Sequence, residues 1–511
     1  MQKSTKLWIR VLSLALVVLM LGSMLLACRK KEEGAADTTN GGDVVDPNNS
    51  DTAKKNVLDG VRYNGETIRV YGWIPSNILE QVQEFNAGLG VVEQNVYKRL
   101  DETKKQLNIN VEWKEETHGT AFIQNAVTAN QTGGYDVIAC YSTEVTRLML
   151  QGAAKNLLSF DTMDFDEPCW PKNMIDQLTI YDKLYFCTGD ISTNLIFMTP
   201  CVFVNMDMVN TWHINEKIQQ QYGEDNIYDL VREGKWTYDA MFELADGVWR
   251  DTDSTNGTRT ADDTYGLSTY STLFCNFYAG AGYTLVNSDE AGVYLSEDYT
   301  DVDSIEKLLK DVTDFLDGGF CLHSEAYTVV RNNFAAGLHL FSLAPASHAY
   351  IKHYHTANLN YSALPVPKYT VDQEDYRSWH SANYTNYMVA SGSANPQIAA
   401  SFLQCLAQWS YDTTRIAIFE NTMKARFAQG DSDIAEMWEM IVDSQTFDIG
   451  RICAGAFRRG GSSSGTILIW QFDEKLKASR TDWENVMDAY KDELIELAEQ
   501  FNTELAALPD T

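Results

Sequence analysis

The chain has 511 residues, of which 44% are hydrophobic and 12% aromatic, enough apolar material for two or three ordinary domains with a sizeable core. Against 40 Lys and Arg stand 71 Asp and Glu, a formal net charge of -31. A charge of that sign and size repels nucleic acid and anionic lipid headgroups and favours solubility, so nucleic-acid binding is excluded as a working hypothesis.

In chain order, the first 27 residues read as a secretory signal. Lys3, Lys6 and Arg10 form a positive start, Val11 to Leu21 is an uncharged apolar stretch, and Leu25-Leu26-Ala27 leads to Cys28. That ending resembles the lipobox of bacterial lipoproteins. The resemblance implies cleavage before Cys28 and diacylglycerol on its sulfur, with lipidation at Cys28. The other reading, a single transmembrane anchor, has an apolar stretch near the lower limit for spanning. Removing the segment takes away three basic residues and deepens the charge from -31 to -34. Nine cysteines become eight on removing Cys28. An even number outside the cell admits disulfides, but Cys140, Cys187, Cys201 and Cys275 sit in apolar or aromatic runs. There is no CxxC, and free, buried thiols fit these runs better. Residues 28–65 comprise the lipidated cysteine and a linker. Its stretch from Arg29 to Lys55 is polar and rich in Gly, Asp and Asn, without the apolar surface needed to offset ordering entropy. It reads as a disordered tether.

A folded body is expected over 66–511. Thr67 to Tyr71 reads as its first strand. Val92, Val96, Leu100 and Leu107 recur at helical period, Asn110 to Trp113 alternates as a strand, and Asp136 to Cys140 is a short apolar run of the buried parallel type. Strand, helix, strand, helix, strand is the α/β signature. Gln151 to Phe160 reads as a turn and an apolar patch. Leu184 to Cys187 and Cys201 to Val204 are strand candidates. Trp236 to Leu244 opens a helix that Thr237 can cap, with Asp239 complementing the helix start. Leu338 to Phe341 and Ala363 to Pro367 are extended. Asn395-Pro396 starts a helix with Ile398, Phe402, Cys405, Leu406 and Trp409 on one face. The chain closes with a long helix striped by Trp483, Val486, Met487, Tyr490, Leu494, Leu497, Phe501 and Leu505. No repeat of fixed period is present.

Several segments, taken in order, resemble extracellular solute-binding proteins of ABC transporters, in the family 1 group related to maltose-binding protein. They are Tyr135-Asp136-Val137-Ile138, Leu184-Tyr185 with Gly189-Asp190, Val202 to Val209, Gly234-Lys235-Trp236-Thr237, and Asp263-Thr264-Tyr265-Gly266-Leu267. Phe334-Ala335-Ala336-Gly337, Leu364-Pro365-Val366-Pro367 and Asn395 to Leu403 follow. Phe447-Asp448-Ile449-Gly450 resembles a large-bodied subset. The resemblance implies an α/β, two-lobed periplasmic-binding-protein-like fold (type II) with hinge strands and a helical C-terminal region. Lobe 1 would take about 66–201 and 378–425, and lobe 2 about 206–377 and most of 426–511. The chain would cross near Val202 to Asn205 and return near Trp379 to Tyr387.

The implied function is a membrane-tethered, monomeric binding subunit of an ABC importer on the extracellular face of a Gram-positive-type cell membrane. It would capture a sugar or oligosaccharide between the lobes and deliver it to the permease, without a cofactor, metal or catalysis of its own. The alternative is a secreted glycan-binding or carbohydrate-active lipoprotein acting without a permease. Sugars present apolar ring faces and hydroxyl edges, so the site wants aromatics at strand ends or in loops with carboxylates or amides beside them. The candidates are Trp73, then Tyr141 with Thr143 and Glu144, then Asp190, then Tyr270 and Phe277, and finally Trp379, Asn383 and Tyr384. Core packing is the competing fate of each aromatic, and it is the expected one for Trp236, Trp409, Trp438 and Trp483.

Three other signals are set aside. Gly461-Ser462-Ser463-Ser464-Gly465 matches GxSxG, but no strand precedes it and Ile467-Leu468-Ile469 after it reads as β-like. His353 and His355, with His348 nearby, have no partner cluster for a metal. The acidic run from Asp251 to Asp263 is similar to a calcium loop, yet Gly257 is seventh from Asp251 where such a loop needs its glycine sixth. A solvated acidic turn is the expectation there.

Overall fold

The computed structural model describes residues 56–510, apart from 76–78, 253, 255–256, 324, 351–353, 355–358, 420–431 and 458–466. The signal segment, Cys28, the tether to Lys55, the GxSxG run, and His353 and His355 therefore lie outside the described residues. Within them the strands in chain order are β1 (Thr67–Trp73), β2 (Asn110–Glu116), β3 (Val137–Tyr141), β4 (Pro200–Asn205), β5 (Trp249–Arg250), β6 (Thr264–Ser268), β7 (Val286–Asp289), β8 (Gly292–Leu295), β9 (Cys321–Leu322), β10 (His339–Pro345), β11 (Tyr361–Leu364), β12 (Ser378–Trp379), β13 (Thr385–Val389) and β14 (Gln445–Thr446).

Two sheets form two lobes. The first has the order β13-β3-β1-β2, with β1 parallel to both neighbours and β13 antiparallel at the edge. The second has the order β11-β4-β10-β6-β5, with β9 also paired to β6. β3 reads as an unbroken apolar run because both its faces are covered: Val137, Ile138, Ala139 and Cys140 are all buried. Helix Val91–Leu107 follows β1 and buries Val92, Val96, Leu100 and Leu107, the stripe its spacing predicts. Helix Pro396–Trp409 packs beside it on the same sheet, so residues far apart in sequence share one lobe.

The chain leaves the first lobe through helix Thr193–Phe197 and enters β4, which lies wholly in the second sheet from Pro200 onward. It returns through β12 and β13. The first crossing is pinned by the buried Glu80 carboxylate, which accepts from Ser192 Oγ (2.7 Å), Thr193 N (2.8 Å) and Thr385 Oγ1 (2.8 Å), with Arg99 at 3.8 Å. Such a fully satisfied buried network fixes one geometry of the crossing rather than several.

Helix Ser432–Asp443 packs on β11 of the second lobe, whereas the closing helix Glu484–Ala506 packs on β8, part of the separate hairpin β7–β8. The end of the chain then reaches the first lobe. Lys183 Nζ donates to the carbonyls of Ala506 (3.2 Å) and Leu508 (2.7 Å) and pairs with Asp510 (2.9 Å).

Two expectations need correction. Leu184 to Cys187 is not a strand; it makes only an isolated bridge, Cys187 to Tyr387, beside the edge of the first sheet. Ile467-Leu468-Ile469 is not β-like but opens helix Ile467–Lys477. There Leu468, Phe472 and Leu476, spaced by four, are all buried, and the tertiary burial of that face overrides β propensity. All eight cysteines of the described residues are free and buried.

Candidate functional site

A cleft of about 450 Å³ opens between the lobes. One wall is the carboxyl end of β3 and the loop after it: Tyr141, Ser142 and Thr143. The returning chain adds Ala382 and Tyr384 just before β13, and the loop after β6 adds Ser271 and Thr272. The third wall is C-terminal: Arg451, Ala454, Ile469, Trp470, Asp473 and Lys477. Ligands of α/β folds gather beyond the carboxyl ends of their strands, and both β3 and β6 deliver their ends here. The volume falls within the roughly 300–1,000 Å³ of ordinary small-molecule sites.

Local structure accounts for each wall. β1 and β3 run parallel, so Trp73 and Tyr141 finish side by side, their rings edge-on at 5.0 Å. Trp73 is buried and donates to Thr385 Oγ1 (2.8 Å), and Tyr141 donates to Asn383 Oδ1 (3.0 Å). His118 stacks on Tyr141 at 4.4 Å, stands edge-on to Trp73 at 5.8 Å and lies 3.8 Å from Glu144.

On the C-terminal wall, Asp448 caps the short helix Ile449–Ile452. Its carboxylate accepts from Gly450 N (2.8 Å) and Leu285 N (2.7 Å), and burial still pushes it up to about 6. Gly450 is needed for the close approach: a Cβ there would stand 2.7 Å from Val286 and 2.9 Å from Leu468. Arg451 then projects toward the cleft. Its Nε and Nη2 donate to the His380 carbonyl (3.3 and 2.8 Å), and its guanidinium lies 5.9 Å from the centre of the Trp379 ring.

On helix Ile467–Lys477, Trp470, Asp473 and Lys477 fall at i, i+3 and i+7 and share the face opposite the buried stripe. Trp470 is 42% exposed, an unusual state for a tryptophan with no cover. Burial pushes the Asp473 carboxyl up to about 7, against the pull of Arg451 and Lys477, and its Oδ1 is buried with no hydrogen-bond partner among the described residues. Lys477 pairs with Glu474 at 2.6 Å.

Of the residues expected from sequence, Tyr141, Thr143 and Tyr384 line the cleft. Asn383 holds Tyr141, and Trp73 and Glu144 stand directly behind it. Trp379 lies beneath Arg451, and Tyr270 precedes the lining pair Ser271 and Thr272. Two do not join the others. The Phe277 ring is buried among Tyr238, Phe242 and Phe274. Asp190 is raised to about 7 by burial and faces Arg415 at 3.8 Å, away from the cleft lining. Sequence reasoning missed Arg451, Trp470 and Asp473. The one signal for Trp470 and Asp473 is their spacing with Lys477 at i, i+3 and i+7, the helical period, after the apolar start Ile467-Leu468-Ile469.

The chain superposes on a cyclo/maltodextrin-binding protein complexed with maltotetraose with a TM-score of 0.52 at 14% identity, covering 88% of this chain and all of the other. It superposes on the sugar-binding protein MalE from the phytopathogen Xanthomonas citri with a TM-score of 0.50 at 13% identity, covering 86% of this chain and 97% of that one. The chain has the maltose-binding-protein-like fold. The resemblance read from short sequence segments is thus a resemblance of architecture too. No protein-family model matches the chain, and no curated protein does. Both superposed proteins match over nearly their whole length.

Among the described residues no helix is long and apolar enough to cross a membrane, and no group of three or more His, Cys, Asp and Glu could hold a metal. In the acidic loop, Asp251 accepts from the amides of Ser254 and Gly257, and Asp263 from those of Thr252 and Thr260, so both carboxylates are turned onto their own loop.

Proposed function

We propose that this protein is the extracellular substrate-binding subunit of an ABC importer, held to the membrane through Cys28, and that it captures a carbohydrate between its lobes. The supporting observation is the make-up of the cleft. Tyr141, Tyr384 and Trp470 supply flat apolar faces for sugar rings, while Arg451, Asp473, Ser271 and Thr272 supply hydroxyl partners at its polar edge. The maltose-binding-type fold supports the same reading, since its two lobes can close on a solute by hinge motion. A glycosidase needs two carboxyl groups facing each other across the scissile bond. Asp473 is the only carboxylate among the described residues that line the cleft, which favours capture over hydrolysis.

Thermal unfolding against neutral oligosaccharides, peptides and polyamines tests the proposal. A ligand of the native state at a hundred times its Kd stabilises by about 2.7 kcal/mol, enough for a clear rise in Tm. At least one oligosaccharide is expected to give that rise. A response confined to peptides or polyamines would overturn the carbohydrate assignment.

A further inference from the structure

Most of the C-terminal wall of the cleft follows Phe447 to Gly450, the last segment that carries the family resemblance, and it holds a buried polar atom without a partner among the described residues. Asp473 Oδ1 is buried and has no hydrogen-bond partner among the described residues, in a cavity that its own helix face lines with Trp470 and Lys477. The neighbouring cations are already engaged. Arg451 spends Nε and Nη2 on the His380 carbonyl, and Lys477 is held by Glu474. A buried acceptor without a donor is costly, and native proteins retain one mainly where something else supplies the donor.

We propose that Asp473 is a ligand-contacting, specificity-determining residue of the cleft, accepting hydrogen bonds from adjacent hydroxyls of the bound saccharide. Arg451 faces the same cavity, and Trp470 is the ring platform beside Asp473. This rests on the carbohydrate-capture reading above and adds the residues through which the C-terminal helices read the ligand. An ionised carboxylate offers about four lone-pair sites on two oxygens and no donor, whereas an amide offers one acceptor oxygen beside a donating NH2. Hydrogen bonds to a charged acceptor are the strong ones, so the loss should be large.

A second consequence separates ligand contact from a structural role. Hydroxyl donors favour the charged carboxylate, so binding near neutral pH releases protons from Asp473. The groups facing it are Arg451, with Asp448 behind and the Cys275 thiol beside it, then Lys477 and Glu474 on its own helix, and the phenols of Tyr141 and Tyr384 across the cavity.

The test is isothermal titration of the full mature chain with whichever of maltotriose, cellotriose, mannotriose and raffinose raises Tm most, in two buffers of different ionisation enthalpy at pH 7. Asp473→Asn should weaken binding by about ten- to a hundredfold and abolish the proton release. Trp470→Ala, on an exposed rim where folding is not at stake, should weaken it as well. Undiminished affinity in Asp473→Asn, or proton release that persists in it, would overturn this inference while leaving carbohydrate capture standing. Failure of all four saccharides to bind the unmodified chain would overturn the capture reading itself, and this inference with it.

Discussion

At the scale of single residues, the most consequential feature is how burial sets the carboxylates. Asp473 and Asp190 are each pushed up to about 7 because the cost of burying their charge exceeds the help from Arg451 or Arg415. A carboxyl whose folded pKa lies above its unfolded value, near 3.9, binds its proton more tightly in the native state. It therefore withdraws stability as pH rises from about 4 to about 7 and has no further effect above that. Asp473→Asn removes this liability. Its stability relative to the unmodified chain should climb between pH 4 and pH 7 and then level off, as read by urea denaturation at a series of pH values. A flat difference across that range would contradict the burial argument.

Which residues gather at the cleft was only partly legible in the sequence. Tyr141 and Tyr384 could be named because they end or precede short apolar strands whose direction was readable. Phe277 could not be told from a ligand contact, because a ring in an aromatic-rich stretch looks the same whether it packs on Tyr238 and Phe242 or on a sugar. Asp190 follows a glycine in a loop as expected, but the loop turns toward Arg415, a long-range pairing that local spacing does not encode.

At the scale of elements, local chemistry decided most boundaries. Thr237 caps helix Tyr238–Ala245, its side chain accepting from Ala240 N at 3.2 Å, and Trp236 just before it is fully buried with its indole donating to the Pro365 carbonyl at 2.9 Å. Both roles follow from the order Gly-Lys-Trp-Thr and its position ahead of a helical stripe. Thr237→Ala should cost about 1 kcal/mol of stability in chemical denaturation, since it leaves a first-turn amide unpaired. A loss within error of zero would mean the helix start is held by packing alone.

Helix Ile467–Lys477 shows the opposite case. Three β-branched or branched residues in a row suggest a strand, and only the burial of Leu468, Phe472 and Leu476 on one face reveals the helix. The misreading also hid the C-terminal wall, because Trp470, Asp473 and Lys477 share a face only at helical period.

At the scale of the whole molecule, the family resemblance implies crossings near Val202 to Asn205 and Trp379 to Tyr387, and strands Pro200–Asn205 and Thr385–Val389 lie at those places in the second and first sheets. What lay beyond was the last part of the chain. Its helices carry ordinary amphipathic stripes, which fix that they pack but not on which lobe. The structure seats helix Glu484–Ala506 on the hairpin β7–β8 and sends its end to Lys183 and Tyr185 beside the first sheet. The same C-terminal region that ties the lobes together also lines the cleft between them.

The central claim is that the cleft between these lobes is where a saccharide binds. Hydrogen–deuterium exchange of the full mature chain, with and without the most stabilising oligosaccharide, tests it most directly. The account predicts new protection at residues 141–143, 271–272, 382–384, 451–454 and 469–477 together. Protection confined to other surfaces, with those five segments unchanged, would contradict it.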